Sequence, residues 1–257
     1  MIWRRLTASA RLKPRFLIIG AQKSATGALF GHLLAHPLVL PPLAKEIHYF
    51  DFKYHRGAGW YLARFPLRRP GTFVTGEASP SYMLHPLAPG RAAAFDPDMK
   101  LIAILRDPVE RALSHHAMAI RHGRDSLGFQ AAVEAEQVRL RNFEAALDSA
   151  PENLRCSARR HSYLRRGRYA EQLQAWLAHF PRDNLLVLRT EDLWADGNRT
   201  LNRAFAFLGL PPHRLRIGTF TGQRRYAIDP ALRKRLEKYF ADDQARLKTL
   251  LDGDRGR

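Results

Sequence analysis

Residues 15–36, RFLIIGAQKSATGALFGHLLAH, decide the fold of this chain. They open with a short apolar run that ends at Gly20, a pattern typical of a buried parallel strand. From Thr26 onwards the apolar spacing becomes helical, and Pro37 ends the predicted helix at His36. The N-terminus of such a helix offers free N–H groups at the carboxyl edge of the sheet. The strand, loop and helix together therefore predict a phosphate site.

The loop between this strand and helix, residues 20–27, carries side chains that suit a phosphate group. Lys23 adds a point charge, and Ser24 and Thr26 add hydroxyl donors. The spacing differs from the nucleotide triphosphatase loop, G-x-x-x-x-G-K-[ST], because no second glycine separates Gly20 from Lys23. The loop therefore favours a nucleotide phosphate bound without a γ-phosphate and without magnesium. An ordinary glycine-containing turn with a solvated lysine is the alternative.

A second strand–helix junction follows at residues 100–114, KLIAILRDPVERALS. The apolar run predicts a buried strand, and Asp107 followed by Pro108 predicts the start of a helix. Arg106 ends the strand and Ser114 lies about two turns into the helix. A guanidinium matches phosphate oxygens, so these two residues are candidates to hold one phosphate. The alternative is that Arg106 pairs with Asp107 and Ser114 bonds its own backbone.

Strand and helix patterns alternate along the rest of the chain. Short strands are predicted at 71–75 and 184–188, and helices around 129–147, 169–180, 198–208 and 230–251. This alternation predicts a single α/β domain with a mainly parallel central sheet flanked by helices. We expect the domain to cover residues 15–251, between a basic N-terminal tail, 1–14, and a C-terminal tail, 252–257.

The chain is strongly basic, with 42 Lys and Arg residues against 24 Asp and Glu residues, a net charge of +18. Such an excess predicts an anionic partner, and nucleic acid, anionic lipid, a nucleotide and an acidic polysaccharide all satisfy it. A genome that favours arginine is the alternative cause. No interleaved aromatic and basic motif is visible, so we expect no nucleic-acid partner.

Arginines are concentrated in residues 155–168. This stretch either contacts an acidic acceptor or forms a solvated helical face.

The single cysteine of the sequence, Cys156, excludes an intrachain disulfide and a cysteine-based metal site. The first 15 residues are basic and lack the apolar core of a secretion signal. No apolar run approaches the roughly 20 residues that a membrane span needs. We therefore expect a cytoplasmic protein without a transmembrane segment, in which basic residues leave peripheral membrane contact open.

Together these segments resemble the family of sulfotransferases that use 3′-phosphoadenosine 5′-phosphosulfate (PAPS), in particular the heparan sulfate (carbohydrate) branch and its bacterial relatives. Residues 16–37 and 101–116 resemble the family's segments for the 5′-phosphosulfate and the 3′-phosphate. KEIHYFD at 45–51 resembles the element with the catalytic base, and GEASPSY at 76–82 matches a further family block. The similarity continues through 165–193 and 220–240 and extends over about residues 15–251.

The resemblance implies which residues bind the cofactor. The 5′-phosphosulfate would be lined by Lys23, Ser24, Ala25, Thr26 and Gly27. Arg106 and Ser114 would hold the 3′-phosphate. A basic loop would cover the nucleotide through Gln223, Arg224 and Arg225.

The resemblance also implies the catalytic residues. Glu46 would be the general base, Lys23 would neutralise charge on the leaving phosphate oxygen, and His48 would orient Glu46 or the acceptor. Asp51 matches a further active-site position of the 3-O-sulfotransferases. The relatives carry a lysine where this chain has Ala78, and in them that lysine touches both acceptor and sulfonate. The identity of the acceptor is therefore open.

The implied activity is metal-free transfer of a sulfonate group from PAPS to a hydroxyl or amine, with 3′-phosphoadenosine 5′-phosphate (PAP) as product. A saccharide or glycoconjugate is the expected acceptor, and a lipid headgroup or another hydroxyl or amine compound is an alternative. The relatives' membrane anchor and C-terminal disulfide have no counterpart here, so we expect a bacterial-type cytoplasmic enzyme. Two other classes stay open: a non-enzymatic basic protein that binds polyanions, and a nucleotide kinase with an atypical phosphate loop.

Overall fold

The computed structural model describes residues 2–140, 160–218 and 226–252 of the chain. The chain divides into two compact units. The first comprises Met1–Leu105 and Ala175–Gly222, and the second comprises Arg106–Gln174 and Gln223–Arg257. The domain boundaries expected from the sequence stay a prediction.

The first unit is built on a four-stranded parallel sheet. Its strands are β1 (Phe16–Gly20), β2 (Gly76–Ala78), β3 (Lys100–Leu105) and β4 (Leu185–Arg189), in the order β2-β1-β3-β4. The strands predicted at the start of the chain, at 100–105 and at 184–188 are confirmed, with boundaries that differ by at most one residue. The parallel central sheet with flanking helices confirms the predicted fold class.

The described helices follow the strands in the expected alternation. They are α1 (Ile2–Leu6), α2 (Thr26–Leu34), α3 (Ala58–Leu62), α4 (Ala88–Phe95), α5 (Pro108–Arg121), α6 (Phe129–Leu140), α7 (Tyr169–Leu177), α8 (Thr190–Ala195), α9 (Gly197–Phe207) and α10 (Pro230–Asp252). Short 3₁₀ turns lie at Ala8–Ala10, Tyr54–Arg56, Arg165–Gly167 and Arg182–Asn184. The predicted continuation of α6 to residue 147 lies outside the described residues.

Both faces of the sheet are buried, and one cluster of the core lies on the face that α2 and α9 cover. Alternate residues of β1 and β3, such as Phe16 and Ile102, meet Leu29 of α2 and Phe205 of α9 in one buried cluster. Two-residue periodicity in the strands and the apolar stripes of the two helices explain why these side chains share a face. This packing fixes the N-terminus of α2 at the carboxyl end of β1.

The strand predicted at 71–75 is wrong. Val74 exchanges backbone hydrogen bonds with a different segment: its N–H donates to Leu38 O (3.0 Å), and Leu40 N–H donates to its carbonyl (2.8 Å). The strand that joins the sheet starts at Gly76. A Cβ there would lie 2.4 Å from the carbonyl oxygen of Phe16, so only glycine allows β2 to approach β1 this closely.

The second unit starts with the predicted helix cap. The Asp107 carboxylate accepts a hydrogen bond from Glu110 N–H (2.9 Å), and Pro108 occupies the first turn of α5. The Glu110 carboxylate in turn accepts from Arg233 of α10 (2.6 Å). Val109 packs with apolar residues of α10, among them Phe240, so α5 and α10 share a small core of their own.

Candidate functional site

The phosphate loop, residues 20–27, is tied down by its backbone. Ala21 N–H donates to Ile104 O (2.8 Å), which fixes the start of the loop to β3. The hydroxyl of buried Thr190, the first residue of α8, lies 3.1 Å from Ser24 O and 2.9 Å from Leu105 O, so its one hydrogen is shared between these two carbonyls. These contacts hold the loop at the carboxyl ends of the strands, where open α/β sheets bind their ligands.

The start of α2 and the side chain of Ser24 offer hydrogen-bond donors to a ligand. Ala25 occupies the N-cap position of α2, so no side chain caps the free N–H groups of this helix. Ser24 is fully buried, and its Oγ has no hydrogen-bond partner among the described residues. A buried hydroxyl without a partner is costly unless a ligand completes it. The loop therefore offers hydrogen-bond donors to an anionic ligand, and its role toward a 5′-phosphosulfate stays a prediction.

Residues 45–51, which the resemblance predicts to be catalytic and which we call the catalytic segment, share an unusual backbone feature with the phosphate loop. In the part of the chain that the structure describes, four non-glycine residues have positive φ: Lys23 (72°), Ala25 (60°), Glu46 (58°) and His48 (57°). The left-handed conformation is unfavourable for such residues by about 1–2 kcal/mol each. Backbone outliers of this kind cluster at functional sites, where the surrounding structure enforces them. All four are predicted site residues.

Three side chains of the catalytic segment form a chain of contacts. His48 Nδ1 lies 2.8 Å from Asp51 Oδ2, and His48 Nε2 lies 3.5 Å from Glu46 Oε2. The side chain of Glu46 is 42% exposed, while that of Asp51 is completely buried. An accessible carboxylate is thus backed by an imidazole whose orientation a buried carboxylate fixes. The structure brings together Glu46, His48 and Asp51, and their catalytic roles stay predictions.

A buried network from β2 and the turn after it holds the catalytic segment. The Glu77 carboxylate accepts from Ile47 N–H (3.2 Å), from the Ser79 hydroxyl (2.6 Å) and from the Tyr82 hydroxyl (2.7 Å). The two hydroxyl oxygens accept in turn from the segment: Ser79 from His48 N–H (3.1 Å) and Tyr82 from Tyr49 N–H (2.7 Å). Three consecutive N–H groups of an irregular segment are satisfied in this way.

Burial dominates the electrostatics of this network. It raises the pKa of Glu77, although hydrogen bonds from Ser79 and Tyr82 act in the opposite direction. Burial also raises the pKa of Tyr82 well above its ordinary value, and the charge of Glu77 adds to that effect. Tyr82 therefore stays a neutral phenol that can both donate and accept.

In the second unit, Arg106 and Ser114 are both buried. Arg106 Nη2 lies 3.8 Å from Glu110 Oε2, and the backbone carbonyl of Arg106 accepts from the Tyr169 hydroxyl (2.9 Å). Arg106 directly precedes the cap of α5 and Ser114 lies on this helix, and their role toward a 3′-phosphate stays a prediction.

Some predicted site residues lie beyond what the structure describes. Gln223, Arg224 and Arg225 are outside the described residues, as are Arg155 and Arg159 of the arginine-rich stretch 155–168. Within that stretch Arg166 is buried, and its Nε donates to Ser162 Oγ (2.8 Å), so it does not belong to a solvated face. Across residues 2–140, 160–218 and 226–252, no group of three or more His, Cys, Asp and Glu side chains could hold a metal ion.

Known proteins resemble this chain over most of its length. The family described as "Sulfotransferase domain" matches residues 13–223. The chain belongs to the sulfotransferase family. The chain is 35% identical over 203 residues to heparan sulfate glucosamine 3-O-sulfotransferase 3B1 of Mus musculus, covering 79% of this chain and 48% of that protein. It is 34% identical over 223 residues to bifunctional heparan sulfate N-deacetylase/N-sulfotransferase 3 of Homo sapiens, covering 82% of this chain and 24% of that protein. It therefore spans about half the length of the first relative and a quarter of the second.

The chain also resembles a solved bacterial structure. The crystal structure of a sulfotransferase from Alicyclobacillus acidocaldarius superposes with a TM-score of 0.76 at 28% identity, covering 93% of this chain and 95% of that one. These similarities give no support to a non-enzymatic polyanion-binding protein or to a nucleotide kinase. No helix in the described part of the sulfotransferase is long and apolar enough to cross a membrane.

Sequence reasoning missed the residues that hold the site from outside it. It matched GEASPSY to a family block but assigned no role to Glu77, Ser79 or Tyr82. The available signal was a carboxylate in a run of small residues next to a predicted strand, since a buried charge needs several donors. Thr190 gave no signal of its own, because its two acceptors are distant in sequence.

Proposed function

We propose that this sulfotransferase moves a sulfonate group from PAPS to a hydroxyl, or an amine, of a saccharide or glycoconjugate. The observation that carries the proposal is the contact chain from Glu46 through His48 to Asp51 in the same compact unit as the phosphate loop. Together they supply a base for the acceptor and an anion site for the donor.

In this proposal each end of the donor has its own residues. The backbone N–H groups and side chains of residues 23–27 hold the 5′-phosphosulfate, and the unpartnered hydroxyl of Ser24 supports this role. Arg106 and Ser114 of the second unit hold the 3′-phosphate, because a guanidinium pairs well with phosphate oxygens. Gln223, Arg224 and Arg225 would cover the nucleotide.

When bound, PAPS supplies a sulfonate that is already activated by its bond to a phosphate. The residues of the chain then position the donor and the acceptor and neutralise the charge that develops. Glu46 accepts the proton of the acceptor hydroxyl, and His48, oriented by Asp51, steadies the Glu46 carboxylate. Lys23 balances the negative charge that grows on the departing phosphate oxygen. No step in this scheme needs a metal ion.

A saccharide acceptor is supported by the relatives, whose names refer to heparan sulfate, and by the net charge of +18. An acidic polysaccharide would be drawn to such a surface. A lipid headgroup or another hydroxyl or amine compound is the alternative. The cytoplasmic location and the peripheral membrane contact stay predictions.

Two measurements test the function. Titration calorimetry in EDTA should show PAP binding with undiminished affinity, and strict dependence on magnesium would contradict the proposed donor site. Radiolabelled PAPS, incubated with saccharides, lipid headgroups, peptides and phenols, should give a labelled saccharide by mass spectrometry. A labelled lipid or phenol alone would contradict the acceptor class and leave sulfonate transfer standing.

A further inference from the structure

A lysine of the catalytic segment, Lys45, lies beside the end of β2. Ala78 is the last residue of β2 and is fully buried. Its carbonyl accepts a hydrogen bond from Glu46 N–H (3.2 Å), so the peptide that joins Lys45 to Glu46 lies directly beside it. The backbone of a cationic residue, Lys45, therefore lies next to the end of β2.

The ammonium group of Lys45 touches both halves of the site. Its Nζ lies 3.6 Å from Glu46 Oε1. A Cβ built on Gly27 would lie 2.9 Å from the same Nζ, so the ammonium rests against the first turn of α2, where the phosphate loop ends. Any side chain at residue 27 would displace it. One point charge thus lies between the base and the anion site.

We propose that Lys45 is the cation that contacts the transferring sulfonate in this chain. The inference rests on the proposed function. The acceptor oxygen must reach the sulfur from the side where Glu46 takes its proton, while the sulfur stays bonded to the phosphate held by the loop. The sulfonate oxygens therefore pass between Glu46 and Gly27, where the Lys45 ammonium lies. A lysine suits this position because its three donors form a compact, adaptable charge.

The step balances with these residues in place. The acceptor O–H bond breaks, its proton goes to the Glu46 carboxylate, and its electron pair forms the new O–S bond. The S–O bond to the 5′-phosphate breaks, and its electron pair leaves on the phosphate oxygen beside Lys23. Throughout the step Lys45 contacts the oxygens of the sulfonate. The negative charge of this group passes from the donor to the product.

Calorimetry with two nucleotides isolates this contact without any turnover. PAPS carries the sulfonate and PAP does not, so Lys45→Met should lower the affinity for PAPS by at least about tenfold, the lower end for a charge-assisted hydrogen bond. The affinity for PAP should change by less than about threefold, because the remaining effect of a partly exposed charge is small. Lys45→Arg, which keeps the charge, should recover part of the preference for PAPS.

Lys13 provides a matched control. Its side chain is 47% exposed against 41% for Lys45, and each is paired with one carboxylate, Asp96 at 3.2 Å and Glu46 at 3.6 Å. Lys13→Met removes the same charge and should leave both affinities unchanged. If the net charge alone caused a loss of nucleotide affinity, Lys13→Met and Lys45→Met would show the same loss.

The outcomes separate the inference from the proposed function. If the wild-type protein binds neither nucleotide, the proposed function falls, and the inference with it. If the wild type binds PAPS and transfers sulfonate, but Lys45→Met binds PAPS as well as before, only the inference is overturned. Equal losses for PAP and PAPS would overturn it too, since they would place Lys45 on the phosphate.

Discussion

The phosphate loop and the catalytic segment both contain left-handed residues, yet they are held by different means. The loop is fixed mainly through its backbone, which runs from β1 into α2 and bonds to β3 and to Thr190. The catalytic segment contains no helix or strand, and buried side chains hold its N–H groups. Nucleotide affinity and turnover should therefore respond to different substitutions.

Glu46→Gln should give the largest difference between the effect on turnover and the effect on nucleotide affinity. Glutamine keeps the volume but cannot accept a proton as a carboxylate does, so turnover should fall by at least about 100-fold. The affinity for PAP should stay within a few-fold, because Glu46 is not part of the phosphate loop. Single-turnover kinetics and calorimetry on the same preparation measure both quantities.

A suitable control is Glu134→Gln, which removes an exposed carboxylate that is paired with Arg235 at 3.2 Å. It should leave turnover unchanged. Near-normal turnover in Glu46→Gln would place the base elsewhere, with His48 as the next candidate. Loss of PAP affinity in Glu46→Gln would mean that the catalytic segment and the phosphate loop are not independent.

Arg106→Ala should change affinity without touching either segment. A charge-assisted contact to phosphate contributes about 1.5–3 kcal/mol, so binding of PAP should weaken by tenfold or more. Binding of adenosine 5′-phosphosulfate, which lacks the 3′-phosphate, should barely change. Equal losses for the two nucleotides would show that Arg106 supports the fold through its contacts with Glu110 and Tyr169.

Tyr82→Phe tests the side-chain support of the catalytic segment. The substitution leaves Glu77 short of one donor and Tyr49 N–H short of its acceptor, at a cost of about 1–3 kcal/mol in the free energy of unfolding. Turnover should fall by about tenfold, because small displacements of catalytic groups are expensive. The affinity for PAP should not change. Tyr239→Phe, at an exposed position, should alter none of these values.

The sequence predicts the parts of the molecule that local patterns determine. β1, α2, β3 and the cap of α5 follow from hydrophobic runs, helical spacing and the pair Asp107-Pro108. The phosphate loop follows from the first two of these elements, because a strand and a helix fix what lies between them. Residues 71–75 show the limit of such patterns, since Val74 pairs with residues near Leu40 rather than with the sheet.

The catalytic segment could be located by resemblance, but its support could not be derived from local sequence. Ile47 N–H and the Glu77 carboxylate are 30 residues apart in the chain, and no periodicity links them. The position of the Lys45 ammonium depends on the absence of a side chain at Gly27, which only the packed structure reveals. Contacts of this kind become visible when distant segments are brought together.

The last comparison is between two fully buried serines, one in the phosphate loop and one in the network around the catalytic segment. Ser24 Oγ has no hydrogen-bond partner among the described residues, whereas Ser79 Oγ bonds to both Glu77 and His48 N–H. Ser24→Ala removes an unsatisfied hydroxyl, so the unbound protein should gain up to about 1 kcal/mol in the free energy of unfolding. It also removes a donor to the nucleotide, so the affinity for PAP should fall by about three- to tenfold.

Ser79→Ala should do the reverse. It leaves the His48 N–H without its acceptor and Glu77 with one donor fewer, so the free energy of unfolding should fall by about 1–3 kcal/mol. Affinity for PAP should stay the same, because no phosphate contact is lost. Thermal unfolding with and without PAP measures both terms for each variant, since at a fixed concentration a ligand that binds the folded state more tightly raises Tm further. If Ser24→Ala destabilises the unbound protein, the Ser24 hydroxyl supports the fold rather than the nucleotide. The expected difference between the phosphate loop and the catalytic segment would then be contradicted.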